Sequence, residues 1–354
     1  MKNFYKNKTV FITGHTGFKG SWLCTILKQM GAKVVGYALP PADGESLFRI
    51  AQTQNGMESV IGDVRDLQNM KSIFQQHQPD IVFHLAAQPL VRESYKNPVE
   101  TYDTNVMGTV NILECVRQFP CVKSFVNVTT DKVYRNNEWE YGYRENDILD
   151  GYDPYSNSKS CSELVTASYL RSFFMEQPTR CSISTARAGN VIGGGDYAAD
   201  RIVPDCVRAA STNETIVVRN PYSIRPYQHV LEPLSAYLLI AMKQFDTNGE
   251  DEGNYNVGPE EKDCITSGEL VQIFCDCWGN GLEWMTTDKE GPHEAGYLKL
   301  DCSKIRTRLG WQPYWDIHTA LQKTVEWYKT YMAGGDVTRV MENQIEELFG
   351  GKNR

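Results

Sequence analysis

Tyr155 and Lys159 are four residues apart, the spacing of one helical turn. Asp153 is a good N-cap and Pro154 a good first helical residue, so a helix is predicted to begin there with both side chains on one face. A phenol titrating near ~10 is a poor base at neutral pH. A nearby ammonium and the positive end of a helix both favour its ionised form, so the pair could move a proton. A second cluster, Thr129-Thr130-Asp131-Lys132, ends an apolar run at 124–129. Thr130, Asp131 and Lys132 then stand at the carboxyl end of a strand, where open α/β sheets bind ligands.

Gly14-His15-Thr16-Gly17-Phe18-Lys19-Gly20 spaces its glycines as G-x-x-G-x-x-G between a strand and a helix. Gly14 permits a tight turn, Gly17 lets backbone approach a pyrophosphate, and Gly20 lets the helix pack closely on the sheet. The pyrophosphate of a dinucleotide would sit at the positive helix N-terminus. Lys159 could then also donate to the cofactor ribose. The acidic residue that should end the second strand and hold the ribose is replaced by Gly36-Tyr37-Ala38-Leu39, and no Arg stands there for a 2′-phosphate. That criterion leaves NAD and NADP both open. Asp63, after the third strand, could accept from an adenine amino group.

The elements that must hold these groups alternate. Strands are predicted over 9–13, 33–37, 60–62, 80–85, 124–129 and 182–186, with helices over 18–30, 67–78, 99–119 and 155–174. Gly31 and Pro79 supply helix stops. This order predicts an α/β, doubly wound parallel (Rossmann) sheet. After about Asn190 regular alternation fades, leaving helices over 201–210, 231–243 and 267–278 and a strand over 216–219. The expectation is a dinucleotide-binding domain at 1–190, to which later segments return, and a smaller mixed α/β substrate-binding region at 191–345.

Of 354 residues, 41% are hydrophobic and 23% charged, enough apolar surface for a large core. The net charge of −8 and the lack of a Lys/Arg block argue against nucleic acid as partner. The ten cysteines have no zinc-like spacing, since Cys275 and Cys277 are separated by one residue, so no metal is expected. The apolar run Val10-Phe11-Ile12 is too short for a signal peptide, and no stretch nears the ~20 apolar residues of a membrane span. A cytoplasmic protein is expected.

Over nearly its whole length the chain resembles the extended short-chain dehydrogenase/reductases. The resemblance rests on Thr13-Gly14-x-x-Gly17-Phe18-x-Gly20, His84-Leu85-Ala86-Ala87, Asn105-Val106-x-Gly108-Thr109, Tyr155-x-x-x-Lys159 and Arg187-x-x-Asn190-Val191. Within that superfamily, Gly14 through Leu23, Ala87-Gln88-Pro89-Leu90-Val91-Arg92, Gly151 through Lys159, Gly193-Gly194-Gly195-Asp196 and Arg225 through Pro233 look like CDP-glucose 4,6-dehydratases. The resemblance implies NAD as cofactor, held by Gly14, Thr16, Gly17, Phe18, Lys19, Gly20, Asp63, Val64, Leu85, Ala86, Ala87, Asn105, Tyr155, Lys159 and Arg187. It places Gln88, Arg92, Asn190, Arg201, Arg225, Asn256, His293 and Tyr297 against a nucleotide sugar. It also implies a homodimer or homotetramer through a four-helix bundle of 99–119 and 155–174.

The implied chemistry is an internal redox cycle. Tyr155 takes the proton of the sugar 4-hydroxyl as C4 is oxidised, Thr130 bonds the 4-oxygen, and Asp131 protonates the departing 6-hydroxyl. Hydride then returns to C6. Many sugar dehydratases carry Glu where this chain has Lys132, and that Glu removes the C5 proton. An ordinary lysine titrating near ~10.4 is almost wholly charged at pH 7, so Lys132 acts as base only if desolvation frees its amine. The alternative is a cation that stabilises the enolate-like intermediate. A 4-epimerase or 4-reductase would share the glycine loop and the Tyr/Lys pair without needing Asp131 and Lys132.

Overall fold

The computed structural model describes residues 1–177, 180–287 and 296–350. Seven parallel strands form one sheet: β1 Thr9–Thr13, β2 Lys33–Ala38, β3 Glu58–Ile61, β4 Ile81–His84, β5 Ser124–Thr130, β6 Ser182–Ala188 and β7 Gly253–Val257. Their order is β7-β6-β5-β4-β1-β2-β3. The chain runs outward from β1 to β3 and then crosses back to β4. The carboxyl ends of β1 and β4 therefore flank the switch point, where a crevice opens.

Alternation along the strands divides the core between the two faces. Val10 and Ile12 pack with Trp22, Leu23 and Ile26 of the helix Phe18–Gln29. Phe11 between them faces the other way, against Phe74, Ile112 and Val116. Thr13 ends β1 with its hydroxyl 2.7 Å from His84 Nδ1, and that oxygen also accepts from Leu85 N at 3.1 Å and Ala86 N at 3.2 Å. One buried threonine thus ties the glycine loop's strand to the loop after β4.

Most elements stand where the sequence predicts them, and the differences have local causes. β3 starts two residues earlier than expected because it pairs Glu58 with Val35 through Ile61 with Ala38. β6 runs two residues longer, to Ala188, paired with Thr130 at the cleft. The long helix expected over 99–119 is continuous but carries a π turn at Asp103–Met107 between Pro98–Tyr102 and Gly108–Gln118. A Cβ on Gly108 would lie 2.7 Å from Val64 Cγ2, so the helix can approach the sheet only there. The helix Leu231–Gln244 was read with the substrate region, yet it packs on β5 and β6. Its Gln244 donates to Ser124 Oγ at 2.8 Å and Phe125 O at 3.0 Å. The helices Val91–Lys96, Ile317–Met332 and Val337–Phe349 were not foreseen. No described helix is long and apolar enough to cross a membrane.

Candidate active site

The three loop glycines meet three different surroundings. Gly14 has φ +79, and a Cβ on it would lie 2.8 Å from Ala86 N. On Gly20 a Cβ would fall 2.1 Å from Gly14 O. On Gly17 it would meet only Gly14 O, at 3.4 Å. Gly17 is the helix N-cap, without a side-chain cap, and no acidic residue occupies the first turn. Open backbone at a positive helix end is a cradle for a diphosphate, so this loop fits a dinucleotide. Ala87 continues the loop from Leu85 and Ala86 alongside it.

Other expected cofactor residues serve different ends. Thr16 Oγ1 donates to Leu39 O at 2.9 Å and pins the loop to the end of β2. The Asp63 carboxylate is gripped by Arg65, at 2.9–3.0 Å to Nε and 2.5 Å to Nη2, and those hydrogen bonds hold it below the usual carboxylate range. An adenine amino group would have to compete for it. Val64 is buried beneath, and its carbonyl accepts from Asn111 at 2.9 Å. Asn105 is 1% exposed and binds Gln88 N and O at 2.8 and 3.1 Å and Ser158 Oγ at 2.9 Å. It braces the loop after β4 against the helix Pro154–Tyr169.

Arg187, also expected at the cofactor, bonds within the protein. It is wholly buried and donates to Glu163 at 2.8 and 2.7 Å, to Tyr134 Oη at 2.7 Å and to Glu145 O at 2.9 Å. Burial works against its charge, but the Glu163 carboxylate outweighs that and holds the guanidinium above its ordinary value. Four hydrogen bonds thus hold the guanidinium to its neighbours in the core. Glu163 itself was missed, although its place one turn after Lys159 on the helix Pro154–Tyr169 is readable as spacing.

The catalytic candidates converge. A cleft of about 820 Å³ is lined by Phe18, Lys19, Thr130, Asp131, Lys132 and Tyr155, among others. Asp153 caps the helix by accepting from Ser156 N at 2.9 Å, with Pro154 in the first turn as expected. Asp131 is 2% exposed. Its Oδ1 accepts from Thr130 Oγ1 at 3.0 Å, while Oδ2 is buried with no hydrogen-bond partner among the described residues. Burial raises its pKa, against the opposing pull of Lys132, the Thr130 hydroxyl, Arg225 and Lys19. Burial also pushes Tyr155 up to about 12, opposed by the Thr130 hydroxyl and by Arg201. The phenol borders the cleft, but protein surrounds it at longer range.

Lys159 is the cation expected to favour the phenolate. Lys159 Nζ donates to Val128 O at 3.1 Å, away from the cleft wall. Burial lowers it to about 8 against the pull of Glu163. Arg201 is a cation that favours the ionised phenol here.

Arginines gather at the far side of the same cleft. Arg201 pairs with Asp196 at 2.9 Å. Arg92 and Arg219 meet one carboxylate, Asp200, at 2.9 and 3.5 Å. Arg225 is 7% exposed and Asn190 lies beside it in the lining. Arg219, Asp196 and Asp200 were not singled out, because their part depends on loops meeting across the cleft. Two expected substrate contacts make hydrogen bonds within the protein. Gln88 spends its amide on Leu90 N and O and on Thr101 Oγ1, at 2.6–3.1 Å. Asn256 is fully buried and bonded to Tyr134 Oη at 2.6 Å, Tyr143 O at 2.7 Å and Asp301 O at 3.1 Å. Tyr297 stands outside the lining, its hydroxyl 3.4 Å from Glu140 O. His293 lies outside the described residues.

The family profile described as GDP-mannose 4,6 dehydratase matches residues 11–324. The chain belongs to that family. Within the dehydratases, a CDP-glucose 4,6-dehydratase of Salmonella typhimurium is 47% identical, covering 100% of this chain and 99% of that protein. A dTDP-glucose 4,6-dehydratase of Haemophilus influenzae is 28% identical over 90% of this chain and 97% of its own length. Among solved structures, a Thermotoga maritima UDP-glucose 4-epimerase with UDP-glucose has a TM-score of 0.80 at 24% identity, covering 92% of this chain and 99% of that one. A Bacillus anthracis dTDP-glucose 4,6-dehydratase in complex with NAD has 0.76 at 21%, covering 93% and 98%. At such identities these structures establish the doubly wound fold of the dehydratase family for this chain. Among the described residues no group of three His, Cys, Asp or Glu side chains could hold a metal ion.

Proposed function

We propose that this chain is an NAD-dependent CDP-glucose 4,6-dehydratase, which converts CDP-glucose to CDP-4-keto-6-deoxyglucose and water. The observation that carries this reading is a second acid in the tyrosine's cleft: Asp131, buried, with Oδ2 unpartnered. A 4-epimerase or 4-reductase has no use for it. The full-length 47% identity to the Salmonella enzyme supports CDP as the nucleotide and glucose as the sugar.

The cofactor, when bound, supplies the redox chemistry: it accepts hydride from C4 and returns it to C6. The chain supplies position and protons. Tyr155 takes the 4-hydroxyl proton, a transfer helped by the Thr130 hydroxyl and Arg201, both of which counter the burial that raises the phenol. Thr130 bonds the 4-oxygen. Asp131, whose burial favours the protonated acid, gives that proton to the 6-oxygen as water leaves. Lys132, on the same wall, is placed to take the C5 proton or, as a cation, to stabilise the enolate-like intermediate. Arg92, Arg201, Arg225 and Asn190 are suited to the diphosphate and nucleotide, since guanidinium forks match phosphate oxygens. On this reading residues 1–190 hold mainly the dinucleotide and 191–345 mainly the nucleotide sugar.

The assembly is a homodimer or homotetramer through the two long helices. Apolar side chains exposed on them support this, Val99 at 81% and Leu164 at 56% with Met107 and Phe173. All ten cysteines are free thiols, which supports a reducing, cytoplasmic setting.

The test is incubation of the purified protein with NAD⁺ and, separately, CDP-glucose, dTDP-glucose and UDP-glucose. Loss of water from CDP-glucose in preference to the others, without NADH accumulation, is expected. NADH build-up without water loss, or unchanged mass with a new C4 epimer, would overturn the reading.

A further inference from the structure

Lys19 stands where electrostatics disfavours a cation. It is the second residue of the helix Phe18–Gln29, near the positive end of the helix dipole, and no acidic residue shares that first turn. Burial lowers it to about 8, repulsion from Arg201 and Lys159 adds to this, and Asp131 and Asp196 oppose. Its ammonium makes no hydrogen bond to the described residues. A position that breaks local rules in this way marks function more often than packing.

The surroundings indicate which function. The sequence places Lys19 with the dinucleotide, yet its side chain lines the cleft shared by Asp131, Tyr155, Asp196 and Arg201. Asp131 is 2% exposed and its Oδ2 has no partner. Lys19 is one of the cations that favour the ionised form of that carboxyl.

We propose that Lys19 is a positioning residue for the elimination, acting through Asp131 as the counter-charge to the carboxylate left when water departs. This rests on the dehydratase reading. In the step, the C6–O6 bond breaks and the Asp131 proton passes to O6, forming water. The C5–H electron pair becomes the C5–C6 double bond and its proton goes to the base. No oxidant is consumed, and Asp131 is left negative opposite Lys19.

The experiment compares Lys19→Met and Lys19→Arg with the unmodified enzyme on CDP-glucose and on CDP-6-deoxy-6-fluoroglucose, whose fluoride leaves without needing a proton. Lys19→Met should lower kcat on CDP-glucose by about tenfold or more, the equivalent of one pKa unit or above on the acid. The fluoro sugar should be little affected, and Lys19→Arg should restore most of the loss. The alkaline limb of the kcat profile should move to higher pH in Lys19→Met, and Tm should rise as the misplaced cation is removed. Equal loss on both sugars together with weaker NAD binding by calorimetry would overturn the proposal in favour of a cofactor contact. Equal loss with a lower Tm would overturn it in favour of a structural role, and no loss on either sugar would also refute it. Carbon-13 NMR titration of the Asp131 carboxyl, without substrate, reads the coupling independently of turnover. It should move to higher pH in Lys19→Met, and an unmoved titration sinks the proposal. Failure of the unmodified enzyme to dehydrate any nucleotide-glucose would count against the dehydratase reading alone.

Discussion

Arg187→Met is the sharpest perturbation of the scaffold. The side chains of Arg187 and Glu163 are each 1% exposed. The substitution removes two bonds to Glu163 and one each to Tyr134 and Glu145, and leaves the carboxylate buried with only Thr129 Oγ1 at 2.5 Å and Thr185 Oγ1 at 2.9 Å. Stranding one partner of a buried pair costs about 3–5 kcal/mol. An unfolding entropy of about 2.1 cal/mol/K per residue over 354 residues is roughly 0.7 kcal/mol/K, so Tm should fall by about 4–7 °C. Adding Glu163→Gln removes the stranded charge, and the amide can accept from one threonine hydroxyl and donate to the other. The double variant should therefore recover to within about 1–2 kcal/mol of the parent, the size of the hydrogen bonds still lost. Calorimetric melts of the parent, both singles and the double give the coupling, and titration with NAD gives the affinity, which should not change. A single variant costing under about 1 kcal/mol, far below the buried-pair range, would refute the burial argument. So would a double as unstable as Arg187→Met, and a stable Arg187→Met that binds NAD poorly would restore the cofactor role.

Further outcomes follow from the same geometry. Tyr155→Phe should fold normally and lose about 10²–10⁴-fold in kcat, read by product mass. Asp131→Asn should raise Tm at pH 7.5. The native state raises the Asp131 pKa and so disfavours its charge, which makes the ionised carboxyl destabilising above its folded pKa. The gain should vanish as pH falls below the ordinary carboxylate range, and a gain that persists in acid would contradict this. Gly17→Ala should leave Tm nearly unchanged but weaken NAD binding by calorimetry, because its Cβ enters the open cradle. Gly20→Ala, 2.1 Å from Gly14 O, should lower Tm itself. Leu164→Glu should convert the assembly to monomer in sedimentation, since it places a charge in the proposed helix seam.

Much of the site was legible because its signals are local. Gly14, Gly17 and Gly20 announce a close backbone approach, and Asp153-Pro154 announces the start of the helix that carries Tyr155 and Lys159. Alternating strands and helices dictate a doubly wound sheet, and the end of such a strand puts Thr130, Asp131 and Lys132 at the crevice. Those conclusions need only steric rules, helical spacing and strand polarity.

What the tertiary structure decided is where each polar group spends its hydrogen bonds. Arg187, Asn105, Gln88 and Asn256 have the residue types of ligand contacts, yet each bonds to neighbours 2 to 122 positions away in sequence. Lys159 and Lys19 differ for a similar reason: one Nζ reaches a strand carbonyl, while the other residue lines the cleft. Residue type and spacing fix what a side chain can do, but burial and partners depend on segments far apart in sequence. A buried donor must be satisfied by whichever acceptor the fold brings to it.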